Sequence, residues 1–309
     1  MGKTSRRSSS FSVSLPATSA NLGPGFDAAA LAFDLHLKVT AQPADQFSIV
    51  AKGRDSEICG NVGNNLILDI YRDVLESANK PALPLALKID NQAPIGKGCG
   101  SSASARLAGI ALADHFGKLR WSDSKIVGEA SRREHHPDNA AACWMGGVAV
   151  AKMSGESEAL VARIIPKGKW PLLFAVPDQP LSTEEARKVL PAQYSRADAV
   201  INIQNSMLLV AAFAQGRPDL LASALEDRIH QPYRAALCPL LPALQKLSGA
   251  KGILGAVLSG AGPSVLVFLD PKANVSKVKA QVAAHLKKSR LTAELIATRI
   301  DPKGRRLGK

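Results

Sequence analysis

Three glycines, Gly96, Gly98 and Gly100, alternate in a short loop that runs into an Ala-rich helical stretch starting at Ser101. Glycine tolerates positive φ and lets a backbone come close to a ligand. The free N–H groups of the first helical turn, and the positive end of the helix dipole, face such a loop. Together they make an anion site. Ser101 and Ser102 add hydroxyls, and Lys97 adds a cation. The segment Pro94-Ile95-Gly96-Lys97-Gly98-Cys99-Gly100-Ser101-Ser102 is therefore the candidate phosphate cradle. It is not a Walker A loop, because Gly98 rather than Ser or Thr follows Gly96-Lys97. Nor is it the dinucleotide fingerprint, since Gly100 falls only two residues after Gly98. The competing reading is a plain loop closed by a Ser cap, but three glycines and two serines exceed what a cap requires.

Other polar constellations are scattered along the chain. Residues 18–27 hold Asn21, a donor and acceptor, and Asp27, a carboxylate, among two glycines. That pair suits an ammonium and a hydroxyl, although an ordinary Asx-capped turn uses the same residues. Glu134-His135-His136-Pro137-Asp138-Asn139 concentrates acid, base and amide groups. Zinc is excluded there because no third soft ligand has suitable spacing. An oxygen site for Mg²⁺ fits better, with Glu134 as the carboxylate and a Ser hydroxyl beside the phosphate. Arg187, just after Thr183, and Arg234 supply guanidinium forks of the kind that hold a carboxylate or phosphate. Ser259-Gly260-Ala261-Gly262-Pro263-Ser264 separates two apolar runs, as a hairpin turn or as a loop closing over a ligand.

Composition narrows the classes. The chain has 309 residues and is 46% hydrophobic, enough for two domains with real cores. No stretch approaches 18 uninterrupted apolar residues, so no membrane partner is expected. The net charge is +13, with Lys3, Arg6 and Arg7 at one end and Lys303, Arg305, Arg306 and Lys309 at the other. Solvated basic tails explain this excess. Aromatic residues are 5% and do not interleave with the basic ones, so no nucleic-acid partner is expected. Cys59, Cys99, Cys143 and Cys238 are isolated, which suits a reducing compartment. The basic start has no apolar core of a secretory signal, and a cytoplasmic location is expected.

Periodicity predicts strands over 11–15, 35–41, 47–51 and 85–89, and helices over 65–78, 101–116 and 122–134. Residues 16–27 and 53–63 read as loops, and the last residues, 303–309, match no pattern. Strands are expected again over 148–152, 160–165, 172–176, 255–259, 265–269 and 293–300. Helices are expected over 183–189, 197–216, 218–225, 240–248 and 273–288. Runs of strands followed by runs of helices indicate an α+β fold. The division expected is a basic tail at 1–10, one domain at 11–168 and a second α/β domain at 169–309.

Taken together, these segments resemble the GHMP kinases. Residues 94–105 follow that superfamily's Pro-x-x-x-Gly-x-Gly-Ser-Ser-Ala motif, and 258–264 follow its C-terminal Gly-rich motif. Within it the chain is similar to the homoserine kinase family, through residues 16–27, 136–139 and 182–187. Ala28-Ala29-Ala30 and Ala140-Ala141-Ala142 depart from the family's usual residues, and neither segment holds a candidate ligand. The resemblance implies a two-domain GHMP-type α+β fold with an N-terminal ATP-binding domain. It implies phosphoryl transfer from ATP with Mg²⁺ to the side-chain hydroxyl of L-homoserine, a step in threonine biosynthesis. By position, Ser102 and Glu134 hold the metal, and Asn65 lies near the adenine. Asn21, Asp27, His136, Asp138, Asn139 and Gly260 surround the acceptor. Arg187 and Arg234 take its carboxylate, with Thr183 beside them. A catalytic base is left open between Asp138 and none, with Asn139 orienting the hydroxyl.

Three other readings compete. Another GHMP kinase would keep the ATP loop but act on threonine or a mevalonate-type alcohol; Asn21 and Asp27, facing an ammonium, weigh against mevalonate. A basic nucleic-acid binder would lose affinity steeply with salt. A dead nucleotide-binding module would have lost ligands that are all present here. A homodimer is kept as an expectation, since no motif encodes the oligomeric state.

Overall fold

Apolar residues alternate with polar ones from Phe11 onward, and the first strand forms there with Val13 and Leu15 buried. The computed structural model describes residues 10–308. Residues 1–9, which hold the N-terminal basic residues Lys3, Arg6 and Arg7, and Lys309 lie outside the described residues.

The strands are β1 (Phe11–Ala20), β2 (Ala29–Pro43), β3 (Ser48–Gly53), β4 (Leu85–Asn91), β5 (Val148–Met153), β6 (Ala159–Ile164), β7 (Pro171–Val176), β8 (Ile253–Leu258), β9 (Val265–Leu269), β10 (Glu294–Arg299) and β11 (Arg306–Gly308). The helices are α1 (Ser56–Cys59), α2 (Leu66–Ser77), α3 (Ser101–Gly117), α4 (Asp123–Glu134), α5 (Asp138–Met145), α6 (Thr183–Lys188), α7 (Arg196–Gln215), α8 (Leu221–Ala224), α9 (Gln231–Arg234), α10 (Leu240–Gln245) and α11 (Val275–Lys288).

The fold is α+β, as the sequence indicates, with two sheets. The first runs β11-β1-β2-β4-β3, and β5 and β6 extend it from the other end of β2. Only β3 and β4 pair in parallel there. Its inner face, with Val13, Leu15, Val39, Leu87 and Ile89, packs on α2, α3, α4 and α5 through Leu68, Tyr71, Leu107, Val127 and Trp144. The second sheet, β10-β7-β9-β8, is antiparallel throughout. It is buried on both faces, because side chains alternate along a strand. Leu172 and Phe174 of β7 join a core shared with Leu31 and Phe33 of β2, while Leu173 and Ala175 join the core under α10 and α11. That double burial is why β7 and β9 read as unbroken apolar runs.

Helix α7 is long and apolar enough, by length and composition, to cross a membrane. Here Leu209, Ala212 and Phe213 enter the core shared by the two sheets. Buried Asn202 donates to the Pro24 carbonyl at 2.9 Å.

Some expectations are corrected. The loop expected at 16–27 begins only after Ala20: β1 continues past Pro16, and its register with β2 shifts between Pro16 and Ala17. Proline has no N–H for the ladder, so the strand accommodates it at an irregularity. The loop expected at 53–63 contains the single turn of α1. The short elements α5, α9 and β11 carry no pattern long enough to declare themselves. Arg305 and Arg306 do not belong to a solvated tail. β11 pairs with the edge of β1, Arg305 meets Asp123 at 2.8 Å, and Arg306 meets the buried Asp301 at 2.6 Å. Burial alone would raise the Asp301 pKa. The hydrogen bond from His36, the Lys303 N–H and the Arg306 charge outweigh it and hold the carboxyl down at about 2.

Candidate active site

A cleft of about 620 Å³ opens where the α3 N-terminus, the start of α5, the turn after β1, helix α6 and the β8–β9 turn converge. Gly96, Gly98 and Gly100 all have positive φ, at 69°, 76° and 64°. At Gly98 a Cβ would sit 2.4 Å from the Ser259 carbonyl oxygen, and at Gly100 1.8 Å from Thr18 Oγ1. Both positions therefore demand glycine twice, for conformation and for space. The loop is pinned from below: Thr18 N donates to the Cys99 carbonyl at 3.0 Å, and Ser259 Oγ donates to the Gly98 carbonyl at 2.6 Å.

Gly100, in the left-handed conformation, is the N-cap of α3, and no side chain caps the helix. The Ser-cap reading therefore fails. The first turn of α3 lines the cleft through Ser101, Ser102 and Ala103. Cys99 contributes backbone only; burial pushes its thiol far up, so it stays protonated. Pro94 is buried beneath the loop and does not line the cleft. The Lys97 ammonium turns away, onto the Asp178 carbonyl. Asn65 is the α2 N-cap: its Oδ1 accepts from Ile67 N and Leu68 N, and its Nδ2 donates to the Cys59 carbonyl at 2.9 Å. Its Oδ1 and one Nδ2–H are engaged in this way, and it does not line the cleft.

Ser102 Oγ and Glu134 Oε1 meet at a single nitrogen, Arg106 Nη1, which lies 3.1 Å from Glu134. Two oxygens close enough to share one cationic nitrogen can share one divalent ion. An alcohol and a carboxylate are the hard donors Mg²⁺ takes, so the residues fit that ion. Burial is the first cause raising the Glu134 pKa, opposed by the charges of His136 and Arg106.

The opposite wall is built from side chains. His136 Nδ1 bonds Asp138 Oδ1 at 2.7 Å, and the same oxygen accepts from Asn139 N at 2.6 Å. Burial alone would lower the His136 pKa, but the Asp138 hydrogen bond and charge overcome it, and the net shift is upward. Asn139 Oδ1 accepts from Thr18 Oγ1 at 2.6 Å. Asn21 Nδ2 donates to the Gly260 carbonyl at 2.9 Å, and Asn21 Oδ1 accepts from Asp27 N. Arg187 Nη2 bonds both carboxylate oxygens of Asp27, at 2.8 and 3.0 Å. Thr183, one turn before Arg187 on α6, also lines the cleft. Arg234 is 1% exposed; its Nε donates to the Ala186 carbonyl at 2.9 Å and its Nη1 lies 3.4 Å from the Gly260 carbonyl. Desolvation is the first cause lowering its pKa, and the nearby Arg187 charge adds to it.

Residues not foreseen complete this wall. Phe26 lies under both guanidinium groups, with its ring 5.5 Å from Arg187 and 5.4 Å from Arg234. His230 stacks on Phe26, and its Nε2 bonds the Gly23 carbonyl at 2.8 Å. Asp227 accepts the N–H groups of Ile229, His230 and Gln231, fixing the turn that presents Arg234. An aromatic inside a polar glycine loop was the available signal for Phe26. Nothing in the sequence marks Asp227. Asp27, His136 and Asp138 also have metal-like spacing, as do Asp34, His36 and Asp301 outside the cleft. Each set already contains short ion pairs.

Comparison with known proteins fixes the class. The GHMP kinases N terminal domain matches residues 65–147, and the GHMP kinases C terminal domain matches residues 209–288. The homoserine kinase of Solibacter usitatus is 43% identical over 262 residues, covering 84% of this chain and 85% of that protein. That of Synechocystis sp. is 41% identical over 265 residues, covering 84% and 86%. The chain belongs to the homoserine kinase family of the GHMP kinases. The fold agrees: the crystal structure of homoserine kinase from Cytophaga hutchinsonii superposes with a TM-score of 0.81 at 22% identity, covering 100% of each chain.

Proposed function

We propose that the chain is an ATP-dependent kinase that phosphorylates the side-chain hydroxyl of L-homoserine, giving O-phospho-L-homoserine for threonine biosynthesis in the cytoplasm. The observation that carries the reading is that one cleft joins an uncapped helix N-terminus, behind three positive-φ glycines, to an Asp27–Arg187 ion pair. A zwitterionic amino acid can enter such a pair and exchange one ionic contact for two. Its ammonium goes to Asp27, with Asn21 and the Gly260 carbonyl beside it. Its carboxylate goes to Arg187 and Arg234, with Thr183 at the rim.

The triphosphate lies over the loop from Gly96 to Ser102. Pro94 and Cys99 act by shaping that loop, and Lys97 by tying it to the segment after β7. Asn65 shapes the adenine side by fixing the start of α2. Ser102 and Glu134 hold Mg²⁺, which when bound neutralises charge on the phosphates. Positioning and charge stabilisation dominate phosphoryl transfer, so a strong base is not required. Asp138 Oδ1 is already engaged by His136 and the Asn139 N–H. We assign Asp138 and Asn139 to orienting the attacking hydroxyl.

The test is ADP release from MgATP with L-homoserine, L-threonine, L-serine or mevalonate as separate acceptors. Release specific to L-homoserine is expected. Release with mevalonate and none with the amino acids would move the function elsewhere in the superfamily. No release with any acceptor, and no thermal shift with MgATP, would refute the kinase reading.

A further inference from the structure

Helix α3 is Ala-rich, and its one arginine, Arg106, stands four residues after Ser102. At that spacing the two side chains share a helix face. The guanidinium is turned into the cleft: its Nη1 contacts Ser102 Oγ and lies 3.1 Å from Glu134 Oε1. Its side chain is only 19% exposed, that of Glu134 is 7% exposed, and Arg106 lines the cleft. The Arg106 Nε is buried and has no hydrogen-bond partner among the described residues. A buried, unpartnered N–H in an otherwise satisfied cleft indicates a side chain held short of a full set of acceptors.

We propose that Arg106 is a resident cation that occupies the Ser102–Glu134 pair until a polyphosphate draws it away, so that a divalent ion is accepted there only together with nucleotide. This rests on the phosphate-cradle reading above. Glu134 offers at most one negative charge. A guanidinium and a divalent ion beside one carboxylate repel each other strongly in a partly buried site. A triphosphate brings several negative charges and supplies the acceptors that Nε lacks. Arg106 then turns onto phosphate oxygens, and the two oxygens it held become free for the ion. Arginine suits this exchange because its fork fits phosphate as well as carboxylate.

The test measures Mn²⁺ binding to the full chain by the electron paramagnetic resonance of free Mn²⁺, with and without a non-hydrolysable ATP analogue. Without nucleotide, Arg106→Met should bind Mn²⁺ at least roughly tenfold more tightly than the wild-type chain. Arg106→Gln should behave like Arg106→Met, and it serves if the methionine variant does not fold. Arg106→Lys, which keeps the charge, should still exclude the ion. Adding Glu134→Gln to Arg106→Met should abolish the gain, which separates this site from the other two acidic clusters. Equal nucleotide-free affinities in wild-type and neutral variants would overturn the inference. A gain that survives Glu134→Gln would do the same. The wild-type thermal shift with MgATP is read in parallel. Its absence would overturn the phosphate reading and this inference with it, whereas its presence beside equal Mn²⁺ affinities would overturn this inference alone.

Discussion

The two walls of the cleft are made differently. The wall proposed to hold phosphate is mostly backbone: three glycines with positive φ and an uncapped helix start, all within residues 96–103. The wall proposed to hold the acceptor is mostly side chains: Asp27 after β1, His136 and Asp138 around the start of α5, Arg187 on α6 and Arg234 on α9. Asp27 and Arg187 touch across 160 positions of sequence. A backbone-built site is written locally and resists change, because each position is constrained by its own φ and close contacts. A side-chain-built site depends on the whole topology, and single changes in it alter what is bound before they alter the fold.

That contrast can be broken by substitution. The largest effect is expected at Gly100→Ala, where the new Cβ would meet Thr18 Oγ1 at 1.8 Å and φ is 64°. Overpacking and strain together should destabilise the chain by about 2–4 kcal/mol. The stabilisation by MgATP should vanish in a thermal-shift titration. If Gly100→Ala keeps both its melting temperature and its MgATP response, the backbone account of that wall is wrong.

On the other wall, Asp138→Asn should retain kcat within about tenfold, since a true base is worth about 10²–10⁴-fold. Single-turnover kinetics on the folded variant checks this, and a loss of several orders of magnitude would make Asp138 the base.

The smallest effect concerns pH. The folded pKa of His136 is raised, because Asp138 outweighs burial. Its contribution to stability is therefore fully present below the ordinary imidazole value near 6.5 and fades as pH rises through the raised folded value. The difference in melting temperature between wild type and His136→Gln should be larger at pH 5.5 than at pH 8.5. A pH-independent difference would leave the His136–Asp138 pair without the charge assigned to it.

Legibility followed the same divide. The glycine loop and the helices that begin as α2, α3 and α4 were readable, because each start depends on neighbours within a few residues. A helix starting at 65 was readable, and Asn65 caps it. The bond from Asn65 Nδ2 to the Cys59 carbonyl was not, since that carbonyl arrives from a separate turn. Pro16 reads as a loop residue locally, yet the long β1–β2 ladder carries the strand past it. Basic residues at the C-terminus read as solvated because their partners, Asp123 and Asp301, come into reach only when β11 closes on β1. Arg106 escaped notice because an arginine in an Ala-rich helix looks like surface. Only the position of Glu134 at the end of α4 gives it a role.

The most direct test of the two-wall account is the pair of KM values, for L-homoserine and for ATP, in Arg187→Met. The guanidinium is about one-third exposed and, among the described residues, hydrogen-bonds only Asp27 and lies over the Phe26 ring, so the fold should survive its removal. The account predicts an L-homoserine KM raised roughly 10–100-fold, as for loss of a bidentate ionic contact, with the ATP KM within about twofold of wild type. An unchanged L-homoserine KM, or an ATP KM raised as much, would contradict it.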